Sequence, residues 1–513
     1  MPNALSPHAR AHWVTRLRDH LQQSCTEPVE LVQTHLSWLL LAGATAYKIK
    51  RPVVLPFVDF SSLAERRRCC EEEVRLNRRF APQLYLGVSR ITGTSDAPRL
   101  DGDGEAFDYA VRMRRFASGS LLAERATAGT LLAADVDRLA ERIAAIHLAA
   151  PRAAPDSGFG TPERRAAAPL SVLDALRLAA PSCADAYTAM RRWLKREAAA
   201  LAPLWHARMA AGFVREGHGD LHLANLVLLD GDILPFDAIE FDPALRWIDI
   251  VDDAAFTAMD LIAHERSGFA VRFINGWLDA TGDHAGLALW RHALVYRALV
   301  RALAAALQPR AGPDYLAVAR HLAAALRAPR LIVMHGLPAS GKSVVALRIA
   351  EAIGAIRLRS DVERKRLLGL PALADTHAAA ADAYSAGATQ RTYARLAELA
   401  RTTLEAGWPA IVDAAFLRRT ERARFAELAE ELGVPFAIVA CHAPEALLRE
   451  RIAARRLRRD DPSEADIDVL RRLTAAAEPL DAAERAAALD VDTAAPEAAQ
   501  SMALARMVAY KAL

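Results

Sequence analysis

Cysteine is scarce in this sequence. The 513 residues include five, at positions 25, 69, 70, 183 and 441, an odd number without metal-ligand spacing. This usage suits free thiols in a reducing compartment rather than a disulfide framework or a zinc site. The N-terminal segment MPNALSPHAR also lacks the apolar core of a signal peptide.

An excess of charge of one sign is missing as well. The sequence has 65 basic and 62 acidic residues, so its formal net charge is only +3. This balance makes no case for a general nucleic-acid or membrane binder. No uninterrupted apolar run reaches the roughly 18 residues of a membrane span. We therefore expect a cytoplasmic enzyme without a membrane partner, with two or three domains for a chain of this length.

Residues 216–242, EGHGDLHLANLVLLDGDILPFDAIEFD, carry two acidic side chains and an amide in a fixed order. Asp220 comes first, Asn225 follows it, and Asp237 ends the apolar run. Two apolar runs around a glycine within 226–236 predict a hairpin, and a plain hairpin with surface Asp and Asn is the alternative. Magnesium on nucleotide phosphates requires such hard oxygen ligands. The order resembles the base, metal-binding amide and metal-binding carboxylate of protein-kinase-like folds.

The stretch ATAYKIKRPV, residues 44–53, predicts a strand with alternating faces. Ala46, Lys48 and Lys50 share one face, while Tyr47 and Ile49 share the other. A small residue two positions before a lysine leaves room for an adenine ring and directs the ammonium group at phosphates. Lys48 is therefore the candidate nucleotide-binding lysine, although two solvated lysines are the alternative.

A charged helix after this strand offers a carboxylate for the lysine. Kinase-like folds need a glutamate there, and Glu71, Glu72 and Glu73 compete for the role. We prefer Glu73, because Leu76 and Phe80 would seat its turn against the core.

Coarser patterns cover the rest of the first half. They predict helices over 8–25, 139–150, 171–211 and 254–327, strands over 34–43 and 107–116, and a loop over 151–170. The last helical region is expected to break at Gly276, at Gly282 and at 308–313. His147 is expected to be packed rather than catalytic. Asp253, before Ala-Ala-Phe, resembles the acidic residue that supports the catalytic loop of small-molecule kinases, and we expect a structural role for it.

The second half begins with a P-loop motif. An apolar strand, residues 331–335, precedes GLPASGKS and a helix, which is the context that G-x-x-x-x-G-K-S requires. Backbone N–H groups of such a loop surround phosphate, the lysine reaches the β and γ phosphates, and the serine binds magnesium. The predicted nucleotide ligands are Gly336, Ser340, Gly341, Lys342 and Ser343.

Carboxylates follow at two strand ends. Asp361 ends a strand-like run where P-loop kinases place a base for the acceptor hydroxyl. Arg364 and Lys365 follow it and could hold an anionic acceptor. Asp413 ends a third strand and either completes the magnesium shell or orients substrate.

An arginine-rich helix, residues 447–466, is expected to break at Pro462. Arg451 and Arg455 are one turn apart, so one helix face could carry both to the transferred phosphate. A solvated basic helix is the alternative. A strand near 488–491 and a terminal helix complete a mostly parallel five-stranded sheet.

Both halves resemble known families. T-H-x-S-W, Y-K-I-K, LNRR and HGDLHxxN…FDxIEFD are similar to the aminoglycoside-phosphotransferase-like half of bacterial fusion proteins that also contain a P-loop kinase. GLPASGKS, SDVERKRLLG and VDAAFLRR resemble the zeta-toxin, polynucleotide-kinase and gluconate-kinase group. The resemblance implies an α/β and α+β chain with a protein-kinase-like domain over 1–325 and a P-loop domain over 326–513. One departure is the single Gly43 in place of a glycine-rich phosphate loop, whose function Ser37, Thr45 or Lys50 could take over.

The leading hypothesis is a bifunctional phosphotransferase with two sites for ATP and Mg²⁺, acting on small-molecule hydroxyl acceptors. Asp220 and Asp361 would be the bases, and Arg451 and Arg455 would neutralise transferred charge. A nucleotide-sensing regulator with one active half is a second hypothesis. A nucleic-acid end kinase is a third, which the near-zero net charge disfavours.

Overall fold

The computed structural model describes residues 7–55, 58–181, 184–308, 311–324, 328–374, 385–458 and 463–496. The chain divides into two compact units, and the first comprises Met1–Leu132, Ala149–Val172 and Leu194–Asp260. The second comprises Ala133–Leu148, Leu173–Trp193 and Leu261–Leu513. Four predicted features lie outside the described residues: the boundary at 325/326, Cys183, the break at Pro462 and the terminal helix. The described helices include none that is long and apolar enough to cross a membrane.

An antiparallel sheet organises the start of the first unit. The elements are α1 (Pro7–Gln22), β1 (Glu30–Gln33), β2 (Ser37–Ala42), β3 (Thr45–Lys50), β4 (Val54–Leu55), β5 (Val58–Asp59), α2 (Leu63–Asn77), β6 (Tyr85–Gly93), β7 (Pro98–Leu100) and β8 (Asp108–Arg114). Six strands pair in the order β1-β2-β3-β8-β6-β7, and each pairing is antiparallel. The short β4 and β5 pair separately. Strand β1 is an addition to the prediction.

The two faces of β3 contact different helices. Ala46 lies in a core cluster with Cys70 of α2, whereas Ile49 lies in a cluster with Leu17 of α1. Successive side chains of a strand point to opposite faces, so Lys48 faces the side that α2 covers. The predicted alternation is confirmed, and it directs both lysines of the strand towards the glutamate-bearing helix.

Four helices follow the sheet. They are α3 (Leu122–Ala128), α4 (Ala133–Ala149), α5 (Pro162–Ala179) and α6 (Ala184–Ala210). The loop predicted through residue 170 was wrong, because α5 begins at Pro162. The hydroxyl of Thr161 accepts the N–H of Arg164 at 3.4 Å, and proline is tolerated in the first turn. Alanines after this start then continue the helix.

The predicted hairpin over 226–236 is confirmed. The elements of this region are β9 (Val214–Glu216), β10 (Leu226–Leu229), β11 (Asp232–Pro235), α7 (Pro243–Arg246), β12 (Trp247–Asp249) and α8 (Ile250–Ala263). Strands β10 and β11 pair around Asp230 and Gly231, whose φ angles of 53° and 88° suit a tight hairpin turn. Strand β9 pairs with β12, a contact that sequence patterns did not indicate.

Helices continue in the second unit. They are α9 (Ser267–Thr281), α10 (Trp290–Leu307) and α11 (Tyr315–Ala324), and a 3₁₀ segment spans His284–Leu289. The break predicted at Gly276 was wrong. A Cβ at Gly276 would lie 2.9 Å from that of Ala140, so this glycine permits close helix packing. The break at Gly282 is confirmed by its φ of 73°. His147 is buried and accepts the indole N–H of Trp277 at 3.0 Å, which confirms a packing role.

A parallel sheet forms the remainder of this unit. The elements are β13 (Leu331–His335), α12 (Lys342–Ile353), β14 (Ile356–Arg359), α13 (Ser360–Leu367), α14 (Ala386–Glu405), β15 (Ala410–Asp413), α15 (Arg419–Glu431), β16 (Phe436–His442), α16 (Glu445–Arg458), α17 (Ile467–Ala475), α18 (Ala482–Ala487) and β17 (Ala488–Asp492). The order is β14-β15-β13-β16-β17, and all pairings are parallel. The predicted five-stranded parallel sheet is confirmed. Its strands' carboxyl ends meet at one edge, where such sheets bind ligands.

Candidate functional site

The first candidate site centres on Lys48. Its ammonium donates to Glu73 Oε1 at 2.9 Å and also to Asp237 Oδ1. The lysine comes from β3, the glutamate from α2 and the aspartate from the segment after β11. Three elements that are distant in sequence therefore converge on one ammonium group.

Only one of the three competing glutamates contacts Lys48. Glu73 is fully buried, whereas Glu71 pairs with Arg67 at 2.8 Å on the surface. Glu72 pairs with Arg75 at 2.7 Å. The helical register therefore selects the glutamate that Leu76 and Phe80 indicated.

The charges around Lys48 stabilise one another. Burial alone would lower the pKa of Lys48, but the carboxylates of Asp237 and Glu73 outweigh it and hold the pKa well above its ordinary value. Burial alone would raise the pKa of Asp237, but Lys48 and Lys50 outweigh it and lower that pKa. Both groups are therefore charged at neutral pH.

Asp220 and Asn225 lie together in the loop before β10. The amide nitrogen of Asn225 donates to the backbone oxygen of Asp220 at 2.9 Å and to Oδ2 at 3.1 Å. Nε2 of His222 lies 3.3 Å from the same carboxylate oxygen. The side chain of Asp220 is 34% exposed.

The loop that carries Asp220 is anchored by α8. The carboxylate of Asp253 accepts the backbone N–H groups of His218 at 2.8 Å and Gly219 at 2.9 Å. Asp260 accepts the N–H of Leu223 at 2.8 Å. The supporting role predicted for Asp253 is confirmed, whereas Asp260 was missed because no local motif marks it.

His218 fixes the hairpin to the same loop. Burial lowers the pKa of its imidazole, which favours the neutral ring. Its Nε2 lies 2.8 Å from the backbone oxygen of Phe236, while Nδ1 accepts the N–H of Asp220 at 3.3 Å. This network assigns the proton to Nε2. His218 thus links the segment of the candidate base to that of Asp237.

Two residues missed by sequence reasoning hold the backbone at Asp237. Its φ is 64°, a left-handed conformation that is uncommon outside glycine. The N–H of Asp237 donates to the hydroxyl of Tyr85 at 3.0 Å. The N–H of Ala238 donates to Asn77 Oδ1 at 3.0 Å. Asn77 is one helical turn after Glu73 and belongs to the LNRR motif, which gave it no role of its own.

The substitutes predicted for a glycine-rich loop differ in their surroundings. Lys50 is 2% exposed and its ammonium pairs with Glu73 and Glu240, so its predicted contact with phosphate was wrong. Ser37 is also buried. Thr45 starts β3 half-buried and keeps its predicted role as a hypothesis. Gly43 lies in the turn between β2 and β3.

Asp237 and Asn225 provide the oxygen donors that a magnesium ion prefers. The side chain of Asp237 is 40% exposed. Because the amide nitrogen of Asn225 binds Asp220, its Oδ1 is the atom that can face a cation. Among the described residues, no three His, Cys, Asp or Glu side chains form a metal-binding group. Magnesium often takes only one or two protein carboxylates and completes its shell with phosphate and water, so these residues fit the ion.

The second candidate site is the loop between β13 and α12. Gly336, Ala339 and Gly341 have φ angles of 146°, 60° and 85°. A Cβ at Gly336 would lie 2.3 Å from the backbone oxygen of Cys441. The motif therefore has the strand–loop–helix context that it requires.

Lys342 lies inside this loop. Its ammonium donates to the backbone oxygen of Leu337 at 2.7 Å. Burial lowers the pKa of Lys342, while the carboxylates of Asp413 and Asp361 act in the opposite direction. The structure therefore brings these predicted residues within electrostatic reach of one another.

The carboxylates occupy adjacent strand ends. Asp413 is the last residue of β15, is buried, and lies opposite Arg359 of β14. Asp361 is half-buried in the first turn of α13. Ser343 lies in the first turn of α12, and buried Ser340 accepts the hydroxyl of Thr493 through its backbone oxygen at 2.9 Å.

Arg451 and Arg455, the two arginines predicted to reach the transferred phosphate, donate to backbone oxygens. Arg451 donates to Ala339 at 3.2 Å and to the hydroxyl and carbonyl oxygens of Thr493 at 2.9 and 2.8 Å. Arg455 donates to Ala465 at 2.6 Å. Arg451 thus fastens the P-loop to the end of β17, a contact that helical spacing did not indicate.

Lys365 has a carboxylate partner within the protein. It is buried, and its ammonium lies 2.9 Å from Glu464. This pairing argues against the predicted role of Lys365 in holding an anionic acceptor.

Relatives align with most of the chain. The uncharacterized protein Rv2004c of Mycobacterium tuberculosis strain H37Rv is 30% identical over 445 residues, which cover 83% of this chain and 86% of the relative. The uncharacterized protein Mb2027c of Mycobacterium bovis has the same identity and coverage. A family model described as an AAA domain matches residues 331–480.

Solved structures are similar over about a third of the chain. A gluconokinase from Sinorhizobium meliloti 1021 has 24% identity and a TM-score of 0.27, and the match covers 36% of this chain and 95% of that one. Kti12 from Chaetomium thermophilum, solved with ADP-AlF3, has 18% identity and a TM-score of 0.28, covering 34% and 96%.

Proposed function

The chain belongs to the family of the mycobacterial proteins Rv2004c and Mb2027c, and we propose that it is an ATP-dependent phosphotransferase with two magnesium–nucleotide sites. The observation that carries the proposal is the pairing of Lys48 with both Glu73 and Asp237. It supports a protein-kinase-like first half, because such folds position a strand lysine by a helix glutamate beside a metal-binding aspartate.

In the first site, Asp220 takes the proton of an acceptor hydroxyl. The hydroxyl oxygen bonds to the γ-phosphorus, the bond from that phosphorus to the β–γ bridging oxygen breaks, and ADP leaves. Lys48 binds the phosphates, and Asn225 and Asp237 would hold Mg²⁺. The ion supplies charge neutralisation of the phosphate oxygens when it is bound.

In the second site, the backbone of the P-loop and Lys342 bind the phosphates of ATP. Asp361 takes the proton of the second acceptor hydroxyl, and the same bonds form and break. Ser343 and Asp413 would hold the second Mg²⁺. Arg451 and Arg455 add positive charge at the P-loop, where phosphate charge accumulates. The AAA-domain match over 331–480 supports nucleotide binding here.

A nucleotide-sensing role for the first half is the second candidate. Gly43, in the turn between β2 and β3, is the single glycine in place of a glycine-rich phosphate loop. A turn with one glycine approaches phosphate less closely than a glycine-rich loop. In that case the first site binds ATP without transferring its γ-phosphoryl group, and the second site alone is catalytic.

The test is ATP turnover with a panel of hydroxyl acceptors for the unaltered chain, Asp220→Ala and Lys342→Ala. We expect each variant to remove the turnover of one acceptor class, with Asp220→Ala costing about 10²- to 10⁴-fold, as general-base loss does. Asp230→Ala and Lys195→Ala, which change exposed residues, are the controls. If neither active-site variant lowers turnover, the two-site proposal fails. Loss in Lys342→Ala alone favours the sensing role.

A further inference from the structure

Strand β3 carries a second lysine that the proposed mechanism does not use. Lys50 follows Lys48 by two residues, so the period of a strand places both on the face that α2 covers. Lys50 is 2% exposed, and its ammonium pairs with Glu73 Oε2 and Glu240 Oε1. A buried lysine with two carboxylate partners is a costly arrangement that needs an explanation.

The two lysines share one carboxylate. Glu73 binds Lys48 through Oε1 and Lys50 through Oε2, so both of its oxygens are used. The result is an alternating row of charges from Glu240 through Lys50, Glu73 and Lys48 to Asp237. The row begins and ends in the segment that follows β11.

That segment is held at a further point between its two ends. Asn77 of α2 accepts the N–H of Ala238 and donates to the backbone oxygen of Glu73 at 2.8 Å. Strand β3 holds the segment through Asp237 at one end and Glu240 at the other. The helix with the glutamate and the segment with the metal-binding carboxylate are therefore tied to the same strand.

We infer that Lys50 and Glu240 are positioning residues of the first nucleotide site, which set where the Lys48 ammonium lies. This inference rests on the proposed function of that site. Lys50 fixes the rotation of the Glu73 carboxylate and neutralises Glu240. Without Lys50, the buried carboxylates of Glu73 and Glu240 compete for Lys48 and draw its ammonium group away from Asp237 and the phosphates.

A purely stabilising role is the competing explanation, and the chain provides a matched control for it. Arg66, also on α2, pairs with Asp108 at 2.9 Å, and both residues are buried. Neither contacts Lys48, Glu73 or Asp237 through a described hydrogen bond or ion pair. Removing this pair changes stability without changing the row of charges.

The test uses the full chain with Lys342→Ala, so that only the first site binds nucleotide. Lys50→Met, Glu240→Gln, their combination, and Arg66→Met with Asp108→Asn are each added. The first measurement is the affinity for a fluorescent ATP analogue with Mg²⁺. The second is the rate at which an acyl-phosphate derivative of ATP acylates Lys48, read by mass spectrometry. Melting temperatures show that each variant is folded at the assay temperature.

We expect Lys50→Met to lower nucleotide affinity about 10- to 100-fold, the range found when a metal ligand loses the residue that orients it. It should also slow acylation of Lys48. Adding Glu240→Gln should restore part of the nucleotide affinity and part of the acylation rate, because it removes the negative charge that Lys50 had neutralised. The Arg66 and Asp108 control should lower the melting temperature and leave both measurements unchanged.

Two results would overturn the inference. If the Lys342→Ala protein binds nucleotide and Lys50→Met and Glu240→Gln change neither affinity nor acylation, Lys50 and Glu240 only stabilise the fold. If the Lys342→Ala protein binds no nucleotide, the proposed function of the first site fails and the inference fails with it. Should Lys50→Met not fold, Glu240→Gln decides alone, since it retains both lysines and Glu73.

Discussion

The side chain of Asn275 completes the hydrogen bonding of the P-loop sheet at Arg357. Oδ1 of Asn275 accepts the N–H of Arg357 at 2.6 Å, and its amide nitrogen donates to the backbone oxygen of Ala355 at 3.0 Å. Strand β14 is an edge strand, so no neighbouring strand of the described sheet provides these partners. Asn275 belongs to α9, outside the residues 331–480 that match the AAA domain. The parallel sheet of the second unit therefore receives hydrogen bonds from a helix outside the residues that match the AAA domain.

Replacing Asn275 with leucine should destabilise this unit. The buried N–H of Arg357 and the oxygen of Ala355 would lose their partner, at a cost of about 1–3 kcal/mol for each group. The measurement is the free energy of unfolding from urea titration. Ala280→Gln, on the exposed side of the same helix, is the control. Equal stabilities for the two variants would show that the edge strand does not need the side chain.

Replacing Gly336 with alanine should abolish nucleotide binding at the P-loop. The added Cβ would lie 2.3 Å from the backbone oxygen of Cys441 and 2.8 Å from Ser340 Oγ, at a φ of 146°. The hydroxyl of Ser340 can rotate away, but the backbone oxygen of Cys441 cannot, so the loop must open. Titration of a fluorescent ATP analogue in a Lys48→Met background measures binding at this site alone.

Gly354→Ala is the matched control. Gly354 lies directly after α12, the helix that follows the P-loop, and its φ is 71°. An added Cβ at Gly354 would meet no described atom within 4 Å, so only the backbone preference opposes the change. That preference costs about 1 kcal/mol of stability and should leave affinity unchanged. Normal affinity in Gly336→Ala would mean that this glycine is not required for loop closure.

Local patterns were sufficient for much of the fold. The strand, loop and helix around GLPASGKS follow one another directly in the sequence. The period of two along β3 placed Lys48 on the face of the strand that α2 covers. The hairpin at Gly231 followed from turn chemistry. These features depend on residues that are close in sequence, and they are therefore visible in one chain.

Contacts between distant segments were not predictable. Glu240 lies 190 residues from Lys50, and no spacing rule links them. Arg451 also binds the backbone oxygen of Thr493, directly after β17, a contact that its helical spacing from Arg455 did not indicate. The helix break predicted at Gly276 was wrong because the packing partner of this glycine, Ala140, belongs to another helix. In each case tertiary packing decides the role of the residue.

The stability of the first unit should depend on Asp249 in acid. Its carboxylate pairs with Arg208 at 2.8 Å and with Arg165 at 2.9 Å, and all three groups are buried. Burial alone would raise the pKa of Asp249, but the two arginines outweigh it and hold the pKa well below its ordinary value of 3.8. A carboxylate whose pKa is lower in the folded state stabilises the protein at pH values above its unfolded-state pKa. This contribution is lost as the pH falls towards its folded-state pKa.

Asp249→Asn should therefore lower the free energy of unfolding near pH 7 by about 3–5 kcal/mol, because the buried Arg208 loses its carboxylate partner and Arg165 keeps only Asp252. It should also flatten the fall in stability below about pH 4, where the unfolded carboxylate takes up its proton. Urea titrations between neutral pH and pH 3 measure both effects. Asp230→Asn removes an exposed pair with Arg114 and should change neither. If Asp249→Asn retains the acid dependence of the unaltered chain, other carboxylates cause it, and the triad with Arg208 and Arg165 does not stabilise the unit through its charge.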